Sequence, residues 1–187
     1  MSILNEKKVQ ILNLSCDASG YLWIQDLANG LKYSSITVLK LDCQTHGLET
    51  SEIKYLPDIL KDTRITSLDL WSCKMGDDGI KCLAEGLKNT NVIYLCVGSN
   101  DITSDGIKYL ADVLQNTSIA SLNVGDTYSI WPNEMKDTGI IYLSKCLKNT
   151  NITHLYLDCN GITNNGIKYL AENLKDTCKY HLPLFTW

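Results

Sequence analysis

An α/β solenoid, with a parallel sheet on one side and helices on the other, is the fold class this sequence predicts. Three observations lead to it: a motif of spaced leucines that occurs six times, a near-constant step between its copies, and a helical apolar pattern after most of them. The motif has the form L-x-x-L-x-L-x-x-N/C. Its copies start at residues 9, 36, 65, 92, 119 and 152, with steps of 27, 29, 27, 27 and 33 residues. A unit this short cannot bury its apolar face alone and must stack on its neighbours. Residues 1–187 therefore read as one domain of about six repeats, followed by a degenerate strand at 179–187.

Each unit opens with a strand. Its first apolar position holds Val9, Ile36, Ile65, Val92, Ile119 and Ile152. The leucine that follows is Leu12, Leu39, Leu68, Leu95, Leu122 or Leu155, and the next inward residue is Leu14, Leu41, Leu70, Val97, Val124 or Leu157. Period-two spacing points these side chains to one face of a short strand. The ninth position is Asp17, Gln44, Cys73, Asn100, Thr127 and Asn160. An Asn or Cys there turns inward and bonds the backbone of neighbouring loops. Gly79, Gly106, Gly139 and Gly166 recur at the turn into the helix, where backbones approach closely.

A helix follows. Ile80, Leu83, Ala84 and Leu87 fall at i, i+3, i+4 and i+7, as do Ile107, Leu110, Ala111 and Leu114, and Ile167, Leu170, Ala171 and Leu174. Each set predicts one buried helical face. Thr103, Ser104 or Asp105 caps one of these helices, and Thr163, Asn164 or Asn165 another. Tyr55, Tyr109, Tyr142 and Tyr169 fall off the inner face and pack between helices on the outside. Pro57 breaks the second unit's helix unless it lies in a first turn. The fifth unit is six residues longer than its 27-residue neighbours, with the excess near Tyr128 to Asn133. Lys179 to Leu184 aligns with Ile152 to Leu157, which puts Leu182 and Leu184 at inward positions of the last strand.

Composition narrows the function. The formal charge is −4, and Arg64 is the sole arginine among 17 basic residues, so nucleic acid is not an expected partner. No secretory signal or membrane span is apparent, so no membrane partner is expected and a cytoplasmic location follows. The eight cysteines then read as reduced thiols. His46, His154 and His181 lie in different units, away from triad or metal-ligand spacing, and no Gly-rich phosphate loop is present. Neither an enzyme nor a metal or other cofactor is expected.

Leu95-x-Val97-x-x-Asn100-x-Ile102, then Gly106, Leu110-Ala111, Leu114 and Gln115-Asn116, resemble the ribonuclease-inhibitor class of leucine-rich repeats. The resemblance spans roughly residues 9–187. It implies a right-handed horseshoe arc with the parallel sheet on the concave face and the helices on the convex face. The class includes the Ran GTPase-activating protein and the sensor ends of NOD-like receptors. Cys73-x-Met75-x-Asp77-Asp78-Gly79-Ile80 is similar to the cysteine-containing repeats of F-box adaptors. The function implied is a protein-interaction scaffold or adaptor. Regulation of a small GTPase, or recognition within a ubiquitin-ligase or immune-receptor system, are the alternatives.

Outward motif positions supply the candidate contacts: Asp42, Asp69, Trp71, Tyr94, Asp126, His154, Tyr156 and Asp158. Four of these are aspartates, set against Lys40 alone, so the expected partner carries a basic patch. Cys96 shares this face, as do Cys16, Cys43 and Cys159 at the eighth position. Tyr128 and Trp131 add apolar area from the insertion, which is expected to project at the rim and to contribute little to stability.

Overall fold

The computed structural model describes residues 9–15, 23–48, 50–126 and 131–175. Six strands, β1 (Ile11–Ser15), β2 (Val38–Asp42), β3 (Ser67–Asp69), β4 (Tyr94–Cys96), β5 (Ser121–Asn123) and β6 (His154–Tyr156), form one parallel sheet in chain order. The helices between and after them are α1 (Trp23–Leu31), α2 (Thr50–Ile53), α3 (Leu56–Leu60), α4 (Gly76–Leu87), α5 (Ser104–Leu114), α6 (Lys136–Leu147) and α7 (Asn164–Leu174). Leu12 pairs with Leu39, and the row continues through Leu68, Leu95 and Leu122 to Leu155. The motif alignment is thus the register of the sheet. Strands stack about 4.8 Å apart while helices need about 8–10 Å, so the array curves with the sheet inside. The strand expected at residues 179–187 lies outside the described residues.

Leucines and isoleucines of both layers share one continuous core. The two end units depart from the expected burial. Val9, just before the first strand among the described residues, is exposed, and in α7 Ala171 is exposed while Ile167 and Leu174 are only partly covered. Pro57 lies in the first turn of α3, so the second unit's helix is split into α2 and α3 rather than abolished.

Side-chain amides bind the units together. Asn100 Oδ1 accepts from the N–H groups of Cys73 (2.9 Å) and Met75 (3.2 Å), while its Nδ2 donates to the C=O of Leu70 (2.8 Å) and Gly98 (2.9 Å). Asn133 repeats the pattern, accepting from Asn100 and Ile102 N–H and donating to Val97 and Val124 C=O. The fifth unit's amide therefore comes from Asn133 and not from Thr127, which lies outside the described residues. This overturns the expectation that the whole of 128–133 is dispensable, because its last residue is buried and bonded. In the second unit the inward position belongs to Cys43, which is buried, whereas Gln44 is exposed. Cys73 is buried as expected, its thiol donating to Leu41 C=O at 3.4 Å.

Two carboxylates clasp neighbouring helices. Asp77, in the first turn of α4, accepts at Oδ1 from Thr103 N–H (2.8 Å) and Gly106 N–H (3.0 Å), and at Oδ2 from the Thr103 hydroxyl (2.6 Å). Thr103 in turn caps α5 by accepting from Asp105 N–H. Asp137 of α6 bonds Thr163, the cap of α7, in the same way at 2.8 and 2.6 Å. Each aspartate thus serves the positive end of two helices. Gly106 and Gly166 are required there, since a Cβ on either would collide with the clasping Oδ1. On the convex side Lys81 lies over Tyr109 and Lys108 over Tyr142, at 5.4 and 5.8 Å from the ring centres, linking α4 to α5 and α5 to α6.

Two outcomes follow for stability. Asn133→Ala leaves buried backbone groups of two units unpaired and should cost about 3 kcal/mol in urea unfolding. Hydrogen bonds from the Thr163 hydroxyl, then from backbone N–H groups, hold the Asp137 carboxyl below its ordinary range. A depressed folded-state value stabilises above the unfolded pKa and is lost as pH falls through the folded one. Asp137→Asn should therefore melt lower than wild type at pH 7, with the two melting curves converging under acid conditions.

Candidate binding face

Outward side chains form rows across the concave sheet. One runs Ile11, Val38, Ser67, Tyr94, Ser121, His154, and the next Asn13, Lys40, Asp69, Cys96, Asn123, Tyr156. The middle of these rows is engaged with itself. Asp69 Oδ2 lies 3.3 Å from Lys40 Nζ, and its Oδ1 accepts from Trp71 N–H at 3.0 Å. Tyr94, Cys96 and Asp69 lie close enough for their side chains to interact electrostatically, and Tyr94 also lies close to Asn123. Burial, then the neighbouring Cys96 and Asp69 charges, pushes the Tyr94 phenol up to about 12. Burial likewise pushes the Cys96 thiol up to about 11. Both stay protonated at neutral pH. Trp71 is half-buried beside this network.

The acidic face expected from the sequence is therefore smaller than four aspartates. Asp126 is a correction: it is buried and accepts a short hydrogen bond from the Ser99 hydroxyl. Asp42 is half-buried and receives Gln44 N–H at 3.3 Å, and Asp69 is paired with Lys40. Asp158 alone of the four is exposed. Cys43 and Cys96 are also corrections, since both are buried, whereas Cys159 is exposed. Cys16 lies outside the described residues.

Strand β6 presents the open part of the face. His154, Tyr156, Asp158 and Cys159 are all exposed, with His154 Nδ1 3.0 Å from the Thr153 hydroxyl. The structure thus groups His154, Tyr156 and Asp158 at one end, and keeps Asp42, Asp69, Trp71 and Tyr94 nearer the middle.

The insertion reaches a different surface. Lys74 Nζ lies 5.4 Å from the centre of the Trp131 ring, and Trp131 C=O accepts from Asp101 N–H at 3.1 Å. Lys74 and Asp101 belong to strand-to-helix loops, so Trp131 is a half-buried part of the loop rim. Tyr128 lies outside the described residues. Beside this rim is an open hollow of about 950 Å³ whose walls include His46, Lys54, Lys74, Met75, Asp78 and Cys82. The repeat pattern by itself does not mark this hollow. Its one signal was Pro57, because the split helix of the second unit leaves α2 only four residues to place beside α4. Among the described residues no group of three His, Cys, Asp or Glu side chains is placed to hold a metal, and no helix is long and apolar enough to cross a membrane.

Residues 62–84, 88–111 and 148–171 match the family model described as Leucine Rich repeat. No curated protein matches the sequence. Among solved structures, the chain is similar to the actin-binding site 2 of leiomodin-1, with a TM-score of 0.64 and 15% identity over 84% of this chain and 89% of that one. The likeness is one of fold. Repeat matches and the parallel sheet agree on a leucine-rich-repeat fold.

Thiol reactivity tests the geometry of the face. A thiol with a pKa of about 11 is only about one part in a thousand thiolate at pH 8. Brief alkylation of the folded protein, mapped by mass spectrometry, should modify Cys159 at least about tenfold faster than Cys96. Equal rates would mean that the Tyr94–Cys96–Asp69 network is open to solvent.

Proposed function

We propose that this leucine-rich-repeat chain is a protein-interaction scaffold that docks a partner on its concave sheet, with β6 as the centre of contact. The observation that carries the reading is the contrast along the outward rows. His154, Tyr156 and Asp158 are open, while their counterparts in the middle strands satisfy one another. An exposed tyrosine between a histidine and a carboxylate offers apolar area, hydrogen bonds and charge in one small patch, the makings of a hot spot. A partner placing a basic group opposite Asp158 fits this patch. Trp71 and Trp131 extend the surface toward the middle of the sheet and the loop rim.

Binding rather than catalysis also suits the thiols, since the Cys96 and Cys146 thiols are pushed up to about 11 by burial and are poor nucleophiles. The same reading places the protein in the cytoplasm, where such thiols stay reduced. Leiomodin-1's site binds actin, as its name states, which makes actin one partner to include in the test.

A photo-crosslinking residue at Tyr156 checks the reading, with Tyr33, the most exposed of the described tyrosines, as the control. Crosslinks to one protein should form from position 156 and not from position 33. For that partner, or for actin, Tyr156→Ala with Asp158→Lys should weaken binding by about tenfold or more. Equal crosslinking from both positions, or unchanged affinity in the double variant, would defeat the proposal.

A further inference from the structure

The two edges of the array carry opposite charge. Around the helix starts stand Asp77, Asp78, Asp101, Asp105, Glu134 and Asp137. The helix ends carry lysines instead. Lys32, Lys61, Lys88, Lys148 and Lys175 directly follow α1, α3, α4, α6 and α7, and α5 is followed by Gln115. Arg64 lies on the same edge, just before the motif of the third unit, and Asp62 is the one carboxylate in these loops among the described residues. A lysine at a helix end answers the negative end of the helix dipole. That accounts for the row but not for Arg64, which lies beyond the helix. Among the described residues the ion pairs join Lys40 to Asp69 and Lys136 to Glu134, so no cation of this edge is paired with a described carboxylate.

The edge also has a place to seat a ligand. Lys32 and Arg64, from the loops after α1 and α3, wall an open hollow of about 460 Å³ together with Tyr33, Ser34 and Ser35. The Ser34 and Ser35 hydroxyls donate to the C=O of Leu31 (2.9 Å) and Val9 (2.6 Å), which leaves Lys32 and Arg64 as the charged donors. Tyr33 adds an aromatic ring that is 95% exposed.

We propose that this edge docks an acidic, extended segment of another protein, with one carboxylate seated between Lys32 and Arg64. Arg64 suits a carboxylate because its guanidinium can grip both oxygens. Spacing supports an extended segment. Helices α1, α3 and α4 pack in succession, and neighbouring helices lie about 8–10 Å apart. A polyproline II chain rises about 3.1 Å per residue with three residues per turn, so it returns to one face about every 9 Å. Acidic residues at every third position therefore meet Lys32, Lys61 and Lys88 in turn. Nucleic acid fits less well, since the row holds a single arginine and the net charge of −4 opposes a polyphosphate. A second copy also fits less well, because the acidic edge is partly engaged: Asp77 and Asp137 hold Thr103 and Thr163, and Glu134 holds Lys136. The docking edge is separate from the outward face of β6.

Fluorescence anisotropy with a labelled peptide carrying glutamate at every third position tests the proposal at low salt. The peptide should bind more tightly than an isomer with its glutamates side by side. Lys61→Gln with Lys88→Gln should weaken binding by about fivefold or more. Lys145→Gln with Lys168→Gln, which removes the same charge from exposed positions on α6 and α7, should leave it unchanged, as should Tyr156→Ala. Absence of binding, equal affinity for the isomer, or equal loss in both lysine variants would overturn the proposal. So would tighter binding of a single-stranded oligonucleotide at the same lysines, which would give the edge to nucleic acid. Self-association in sedimentation that Lys61→Gln with Lys88→Gln abolishes would give it to a second copy and overturn the proposal as well.

Discussion

Everything in this molecule hangs on the inward-turned amide at the end of a strand. Asn100 and Asn133 each accept two N–H groups from the unit before and donate to carbonyls of two units, so one side chain satisfies backbone that would otherwise be buried without partners. The leucines supply most of the attraction between units, but they are nondirectional. The amides set the offset from one unit to the next, and through it the rows of outward residues. Asn160 continues the series on its donor side, bonding Val124, Leu157 and Asp158 C=O, while its Oδ1 has no partner among the described residues.

That offset explains why the binding face is uneven. Strands held this close bring outward side chains of adjacent units within bonding distance of one another. In the middle of the sheet the side chains therefore meet partners on both sides, as Asp69 meets Lys40 and Cys96. Among the described residues β6 has a neighbouring strand on one side alone, and its outward His154 and Tyr156 are exposed. Sequence position along the array, as much as residue identity, decides which side chains can recognise something else.

The periodic leucines made the fold legible, and every pairing in the sheet follows from aligning them. Three failures have physical causes. Asn133 was missed because the extra residues of the fifth unit lie before the amide rather than after it; the spacing Asn133-x-Met135-x-x-x-Gly139-Ile140 matches Asn100-x-Ile102-x-x-x-Gly106-Ile107 and carried the correct alignment. Cys43 looked outward because the second unit is one residue short between Leu41 and its inward thiol. Asp126 looked like surface charge because an alternating pattern says nothing of the Ser99 hydroxyl waiting in the next unit. The helical clasps were invisible for a similar reason: Asp77 and Thr103 are far apart in sequence and each has an ordinary local role.

Those clasps recur in Asp137 and Thr163, 60 residues further on for both members. Between them, α6 begins at Met135 without a side-chain cap, as α4 does at Met75. Two kinds of helix start thus alternate, one offering a carboxylate and the next a threonine to receive it. The true period of this part of the array is a pair of units, and it has a phase. Growth or loss by a pair preserves that phase. Inserting or removing a single unit would set carboxylate against carboxylate or threonine against threonine, leaving one helix start unclasped, so an array of this kind changes length most easily in even numbers.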